Sequence, residues 1–378
     1  MPTTDSAATA TQWYVFDGIA QTDTPALVVY ADRVKENIQK ALELVGDPER
    51  LRPHFKTSKC AAICSLFLQA GITRFKCATV AEAELLAMNG APDVLLAYQP
   101  VGPKVERLLA LVDKYPSTRF SCLVDHAVPA KAIAAAAVHL ATTVGVYIDI
   151  NPGMNRSGIL PGGQAVDLYE TCSHLKGLEV LGLHVYDGHI TQFNLLERKA
   201  ACDAAFAPIE QLRRDLVARG FALPAMISGG TPTLSIHAQY PDRECSPGTF
   251  IYWDAAYGDA FPDLPFAPAA LVLTRVVSMP TPSSLTLDLG HKAIASENDL
   301  LHRFQLLNAP DALPIMHSEE HVVVRLSEGH GFAIGDVLFA LPYHICPTVA
   351  LHQQATVVED GRLWGWWPTG ARDRELTV

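Results

Sequence analysis

Three short stretches of this chain gather residue types that do chemistry. Pro53-His54-Phe55-Lys56-Thr57-Ser58-Lys59 closes an apolar-to-polar run and sets a lysine where a strand would enter a helix. An amine held among apolar neighbours loses hydration, which favours the free base that attacks a carbonyl carbon. Ser228-Gly229-Gly230-Thr231-Pro232-Thr233 and Pro247-Gly248-Thr249 supply glycine turns in which backbone N–H groups can approach an anion such as phosphate. His344-Ile345-Cys346 is a His-x-Cys pair; on an extended strand both side chains share a face, and imidazole with thiolate suits Zn²⁺ while leaving coordination positions open. Each stretch also has a plainer explanation: solvated lysines, an ordinary turn, or packing residues.

The elements that must position these groups follow from periodicity. Apolar, β-branched runs at 26–30, 52–56, 75–78, 94–98, 120–125, 144–150, 180–186 and 226–230 alternate with stretches of helical length at 34–45, 80–89, 127–140 and 195–219. Eight strands with intervening helices point to a (β/α)₈ TIM-type barrel, although a doubly wound sheet has the same local alternation. Lys56 then stands at the C-terminal end of a barrel strand, where barrel sites are assembled, and the Gly229-Gly230 turn follows the last strand, where phosphate sites recur. After the Pro-rich 261–268, strand-like runs at 271–279, 284–289, 321–326, 336–341, 354–359 and 363–367 predict a C-terminal all-β domain. The expected division is an N-terminal segment 1–22 that joins the β domain or frays, a barrel over 23–262 and a β domain over 263–378 carrying the His-x-Cys pair.

Taken together, these segments resemble the D-threonine aldolase and D-serine dehydratase family, pyridoxal 5'-phosphate enzymes with an alanine-racemase-type barrel. The resemblance runs from about Asp23 onward. It implies that Lys56 carries the cofactor and that Ser228, Gly229, Gly230, Thr231, Gly248 and Thr249 cradle its phosphate. Asn155-Arg156-Ser157-Gly158 is similar to the family's arginine loop, which puts Arg156 near the ring oxygen. Leu183-His184-Val185-Tyr186-Asp187-Gly188-His189 puts Tyr186 at the ring nitrogen, with His189 a candidate acid/base. His344 and Cys346 match the family's metal pair, implying a divalent ion, zinc before manganese or magnesium. Ser318-Glu319-Glu320-His321 is also similar to a family segment, and Ser58 departs from it where many members have histidine. The implied substrate is a β-hydroxy-D-amino acid. Two outcomes branch: retro-aldol cleavage to glycine and an aldehyde, or dehydration to a keto acid and ammonia. The thiolate at position 346 is the dehydratase pattern; the 252–258 loop and the C-terminal segments look nearer to the aldolases, and cleavage ranks first. A homodimer is likewise implied by the resemblance.

Charge and composition narrow the partners. A formal charge of −11 and a pI of about 5.7 argue against nucleic acid and anionic membranes, both of which need a basic surface. A 49% hydrophobic fraction can fill a large core. No stretch is long and apolar enough to span a bilayer and residues 1–20 lack a signal-peptide pattern, so a cytoplasmic protein is expected. The eight cysteines form no Cys-x-x-Cys pair and are expected to be reduced core thiols, Cys346 excepted. Rival functions are an amino-acid racemase, which has no use for His344 and Cys346; a non-catalytic cofactor carrier, which lacks the β domain; and a purely structural role.

Overall fold

The computed structural model describes residues 12–378, so only residues 12–22 of the expected N-terminal segment can be placed. Its first strand, β1 (Ala26–Tyr30), leads directly into helix α1 (Ala31–Val45). After α2 (Ala61–Gln69) the chain alternates strictly: β2 (Arg74–Cys77), α3 (Val80–Met88), β3 (Asp93–Leu96), α4 (Pro103–Lys114), β4 (Arg119–Val124), α5 (Ala127–His139), β5 (Val144–Ile150), α6 (Gly163–His174), β6 (Leu178–Val185), α7 (Leu195–Ala218), β7 (Ala225–Ser228), α8 (Leu234–His237) and β8 (Arg243–Cys245). Strands β2 to β8 are hydrogen-bonded in sequence order and all neighbours are parallel. Parallel neighbours need crossover helices, which the sequence supplies between them.

Residues 51–54 close this sheet into a barrel. Leu51 bridges to Cys245 and His54 to Lys76, both parallel, and the amides of Arg52 and His54 donate to the carbonyls of Cys245 and Pro247. Pro53 has no N–H to give, so the closing segment forms two isolated bridges instead of a full strand. Two expectations are corrected here. The run 52–56 is not a regular strand: Phe55–Thr57 is already a single 3₁₀ turn. The run 26–30 is not a barrel strand at all, because β1 pairs antiparallel with β9 and parallel with β15 of the second domain. The barrel's eighth position is filled by β8, whose Arg-Glu-Cys sequence carries no apolar periodicity. Its charges serve the barrel floor: buried Arg52 meets Glu244 (2.7 Å) and Asp93 (2.5 Å), and Arg74 meets Glu244 (2.8 Å).

Helix α9 (Ala255–Ala260) leads to the second domain: β9 (Ala270–Thr281), β10 (Ser284–Leu287), β11 (Phe304–Leu306), β12 (Leu313–His317), β13 (Val322–Arg325), β14 (Val337–Pro342), α10 (Ile345–Leu351), β15 (Gln354–Glu359) and β16 (Arg362–Pro368). Its sheet runs β12-β13-β10-β9-β1-β15-β16, with β14 on β9 and β11 on β14. The described part of the N-terminal segment joins it: Asp17 bridges to Arg362, and Tyr14 and Phe16 bury against Val28, Leu273 and Phe339. Strands β11 and β12 were not apparent in sequence, the second being mostly exposed.

Candidate active site

The barrel's C-terminal mouth opens on a cavity of about 570 Å³ lined by His54, Lys56, Tyr98, Gln99, Asp125, Asp149, Arg156 and Ser157 among others. Lys56 reaches it from the 3₁₀ turn, which is set by His54: its Nδ1 accepts the Lys56 amide (3.3 Å). Burial, with repulsion from Lys56, pushes His54 well below the usual imidazole range, so it faces the lysine as a neutral ring. The second lysine of the motif is engaged elsewhere: Lys59 forms an ion pair with fully buried Glu82. The chain thus separates the two amines, presenting Lys56 to the cavity and spending Lys59 on α3.

Arg156 rides on a tight loop after β5. Asn151 Oδ1 accepts the amides of Gly153 and Asn155 (2.9 and 3.1 Å), Ser157 Oγ donates to Asp149 (2.9 Å), and the Gly158 amide donates to Asp125 (3.0 Å). Gly158 has φ of 94°, and a Cβ there would meet the backbone of Ile150 and Asn151 at 2.8 and 2.7 Å, so the loop needs glycine at that point. The Arg156 guanidinium carbon sits 4.6 Å from the centroid of the Tyr186 ring. The structure therefore joins two residues that the sequence reading linked only by resemblance. Beneath them, buried His184 meets Asp149 through Nδ1 (2.7 Å), and its Nε2 has no partner.

The two glycine turns meet. Thr231 Oγ1 accepts the Gly248 amide (3.0 Å), tying the loop after β7 to the loop after β8. A Cβ on Gly229 (φ 70°) would lie 2.4 Å from the His237 ring, one on Gly230 would lie 3.1 Å from Tyr186, and one on Gly248 would lie 3.1 Å from His54. The cradle is thus closed to side chains and lies between Lys56's turn and Tyr186. Ser228 Oγ is buried there without a partner. A phosphorylated pyridine aldehyde fits this donor set: glycine-lined backbone for the phosphate, an aromatic hydroxyl and a cation beside the ring, and an amine at the mouth.

The His-x-Cys pair lies differently from the expected strand. His344 is the N-cap of α10 and Cys346 is in its first turn, where Pro347 is tolerated because that turn needs no intrahelical N–H. Asp254 fixes the junction by accepting the Ile345 amide (3.0 Å), and its own acid is raised to about 6, chiefly by burial. The two side chains still converge: a hydrogen bond with Cys346 is the largest cause raising His344 to about 9. Glu297 takes His344 Nδ1, which leaves Nε2 for an ion, in the carboxylate–histidine arrangement common around metals. Helix α10 packs on the lysine turn, with Cys346 Sγ 3.2 Å from Thr57 Oγ1 and 3.8 Å from Thr249 Oγ1. Within one subunit, Cys346 therefore packs against the residue that follows Lys56.

Other positions are plainer. His189 is exposed, its Nε2 3.4 Å from where a Gly153 Cβ would sit. Glu319 and Glu320 both pair with exposed Lys292. Seven cysteines are buried and all eight are free.

Sequence reasoning missed Lys76, His184, Glu297 and Tyr257. The last is half-buried, and burial raises its phenol. It also missed a buried cluster of Asp187, Cys202 and His237. This cluster has metal-ligating types but spent valences. Arg243 donates to His237 Nδ1 (3.1 Å), so Nε2 carries the hydrogen and donates to Asp187 (2.8 Å), while Thr233 Oγ1 donates to the other carboxylate oxygen (2.9 Å). Its role is to pin the Gly229-Gly230 loop from behind.

Comparison with known proteins bears on the fold and the family. Residues 29–256 match the family "Alanine racemase, N-terminal domain", and 269–358 match the "Putative serine dehydratase domain". The chain belongs to the alanine racemase N-terminal domain family. It is 28% identical over 363 residues to D-threonine aldolase of Arthrobacter sp, covering 94% of each chain, and 28% identical over 369 residues to 3-hydroxy-D-aspartate aldolase of Paracoccus denitrificans, covering 94% of this chain and 93% of that one. The crystal structure of D-threonine aldolase from Filomicrobium marinum superposes with a TM-score of 0.85 at 28% identity, covering 93% of this chain and 96% of that one.

Proposed function

We propose that the protein is a pyridoxal phosphate- and divalent-metal-dependent lyase acting on β-hydroxy-D-amino acids, cleaving them to glycine and an aldehyde. The observation that supports this is the 3.2 Å contact of Cys346 with Thr57, which packs the helix of the His-x-Cys pair on the turn that carries Lys56. A racemase has no use for that pair. When bound, pyridoxal phosphate supplies an electron sink for charge developing at the substrate's Cα, and an ion on His344 and Cys346 supplies a Lewis acid for a hydroxyl oxygen.

The chain's own residues divide the remaining work. Lys56 offers the amine. The glycine cradle of Ser228, Gly229, Gly230, Thr231, Gly248 and Thr249 holds the phosphate, and Arg156 with Tyr186 orients the ring. His189 takes the β-hydroxyl proton. The division at about residue 262 then separates a cofactor-holding barrel from a metal-holding β domain, although β1 belongs to the second sheet. A soluble cytoplasmic homodimer completes the proposal; among the described residues no helix is long and apolar enough to cross a membrane. The second reading, dehydration to a keto acid and ammonia, is favoured by the thiolate at Cys346. Incubation with D-threonine and D-serine, with and without chelator, tests both: glycine plus aldehyde supports the first, keto acid plus ammonia the second, and neither product refutes both.

A further inference from the structure

One sulfur is the meeting point of three parts of the site. Cys346 Sγ, at the start of α10, lies 3.2 Å from Thr57 Oγ1 on the turn that carries Lys56 and 3.8 Å from Thr249 Oγ1 on the loop after β8. Thr57 is fully buried, and among the described residues this sulfur is the sole hydrogen-bond partner of its hydroxyl. The cradle side of the hydroxyl is closed as well, since a Cβ on Gly248 would lie 3.3 Å from Thr57 Oγ1. A buried hydroxyl with a single partner has one place to direct its hydrogen. While Cys346 is a thiol, either atom can donate. A thiolate holding an ion can only accept, so Thr57 must then be the donor. Cys346 is itself only half-buried, which leaves the sulfur an open side for the ion.

We infer that Thr57 is a positioning residue for the metal ligand: its hydroxyl donates to the Cys346 thiolate and fixes that sulfur against the turn that carries Lys56. Two consequences follow from one hydrogen bond. It joins backbone 289 residues apart, so the placement of the sulfur relative to the lysine turn rests on a direct contact between the two. It also draws charge from the sulfur, which leaves an ion held there more electron-poor than one held by a thiolate without a donor. The hydrogen stays on Thr57 throughout, and no covalent bond of this residue forms or breaks. The inference rests on His344 and Cys346 holding an ion.

The test dialyses the full-length holoenzyme against chelator, titrates Co²⁺ back, and records the sulfur-to-cobalt charge-transfer band as a difference spectrum against the metal-free holoenzyme. The wild type should develop the band and saturate. Thr57→Val keeps the side-chain shape and removes the donor; it should bind Co²⁺ roughly 10–100-fold more weakly and show the band at longer wavelength, because a sulfur without a donor gives up charge more easily. Thr57→Ser, which restores the hydroxyl, should return both readings toward wild type. Thr57→Ala serves in place of Thr57→Val if that variant does not fold. A donor-free variant whose affinity and band coincide with wild type, or a shift that Thr57→Ser fails to reverse, overturns the inference and leaves the functional reading standing. Absence of any sulfur-to-cobalt band in the wild type overturns both.

Discussion

Replacing Asp187 distinguishes a structural brace from a metal site. The carboxylate is 1% exposed and accepts from His237 at 2.8 Å and Thr233 at 2.9 Å. Asp187→Ala leaves two buried donors without partners, each costing about 1–3 kcal/mol, so a loss of about 2–6 kcal/mol is expected from a total stability of about 5–15. Asp187→Asn should cost less, about 1–2 kcal/mol. Its carbonyl can still accept from His237, and the Thr233 hydroxyl can turn to accept from the amide, so only the charge assistance is lost. Because the same network backs the Gly229-Gly230 loop, Asp187→Ala should also weaken pyridoxal phosphate binding. The assays are urea denaturation of each variant and metal analysis of the purified chains. Metal content per chain should stay at the wild-type value in both variants. Loss of one ion per chain in Asp187→Asn, or a denaturation midpoint for Asp187→Ala within error of wild type, would refute the reasoning.

Other outcomes follow from the same geometry. Lys56→Ala should lose the borohydride-fixed cofactor entirely while Lys59→Ala keeps it, read by mass spectrometry; Lys59→Ala should instead destabilise the chain by about 2–4 kcal/mol, because Glu82 is left buried and unpaired. His344→Ala should abolish bound metal, and Glu297→Gln should weaken metal affinity by roughly 10–100-fold, measured by competition with a chelating dye. Lys76 is lower in the folded chain than the 10.5 of a free lysine, so its stability term is whole above about pH 10.5 and is lost as pH falls through about 7. The full drop from 10.5 to about 7 corresponds to about 5 kcal/mol as an upper bound. Lys76→Met should therefore gain on wild type as pH falls from about 10 to about 7 in cofactor-free denaturation series; a constant difference across that window would contradict it.

How much of this was legible in the chain differs by element. The helices at 80–88, 127–139 and 195–218 fall within a residue of their expected ends, because each carries a cap or a sustained apolar period. Strand β1 was recognisable as a strand but not as a member of the second sheet, since an apolar run says nothing about its neighbour. Strand β8 was invisible because its alternation is of charges answering Arg52 and Arg74 across the barrel. The His-x-Cys spacing drew attention to the correct residues for a geometric reason that the helix at 345–351 replaces.

Residue order makes the reactive side chains available: one lysine in a Pro-His-x-Lys turn, two glycine loops, an arginine, a tyrosine and a His-x-Cys pair, with helices and strands dictated by local periodicity. Which of them meet was left to the folding of the whole chain. Lys59 was removed by a buried glutamate 23 residues on, Cys346 was delivered to Thr57 from 289 residues away, and Lys76 was turned inward across from His54 by the pleat of β2. Such meetings depend on barrel closure and domain docking, long-range contacts that no local pattern of residues encodes.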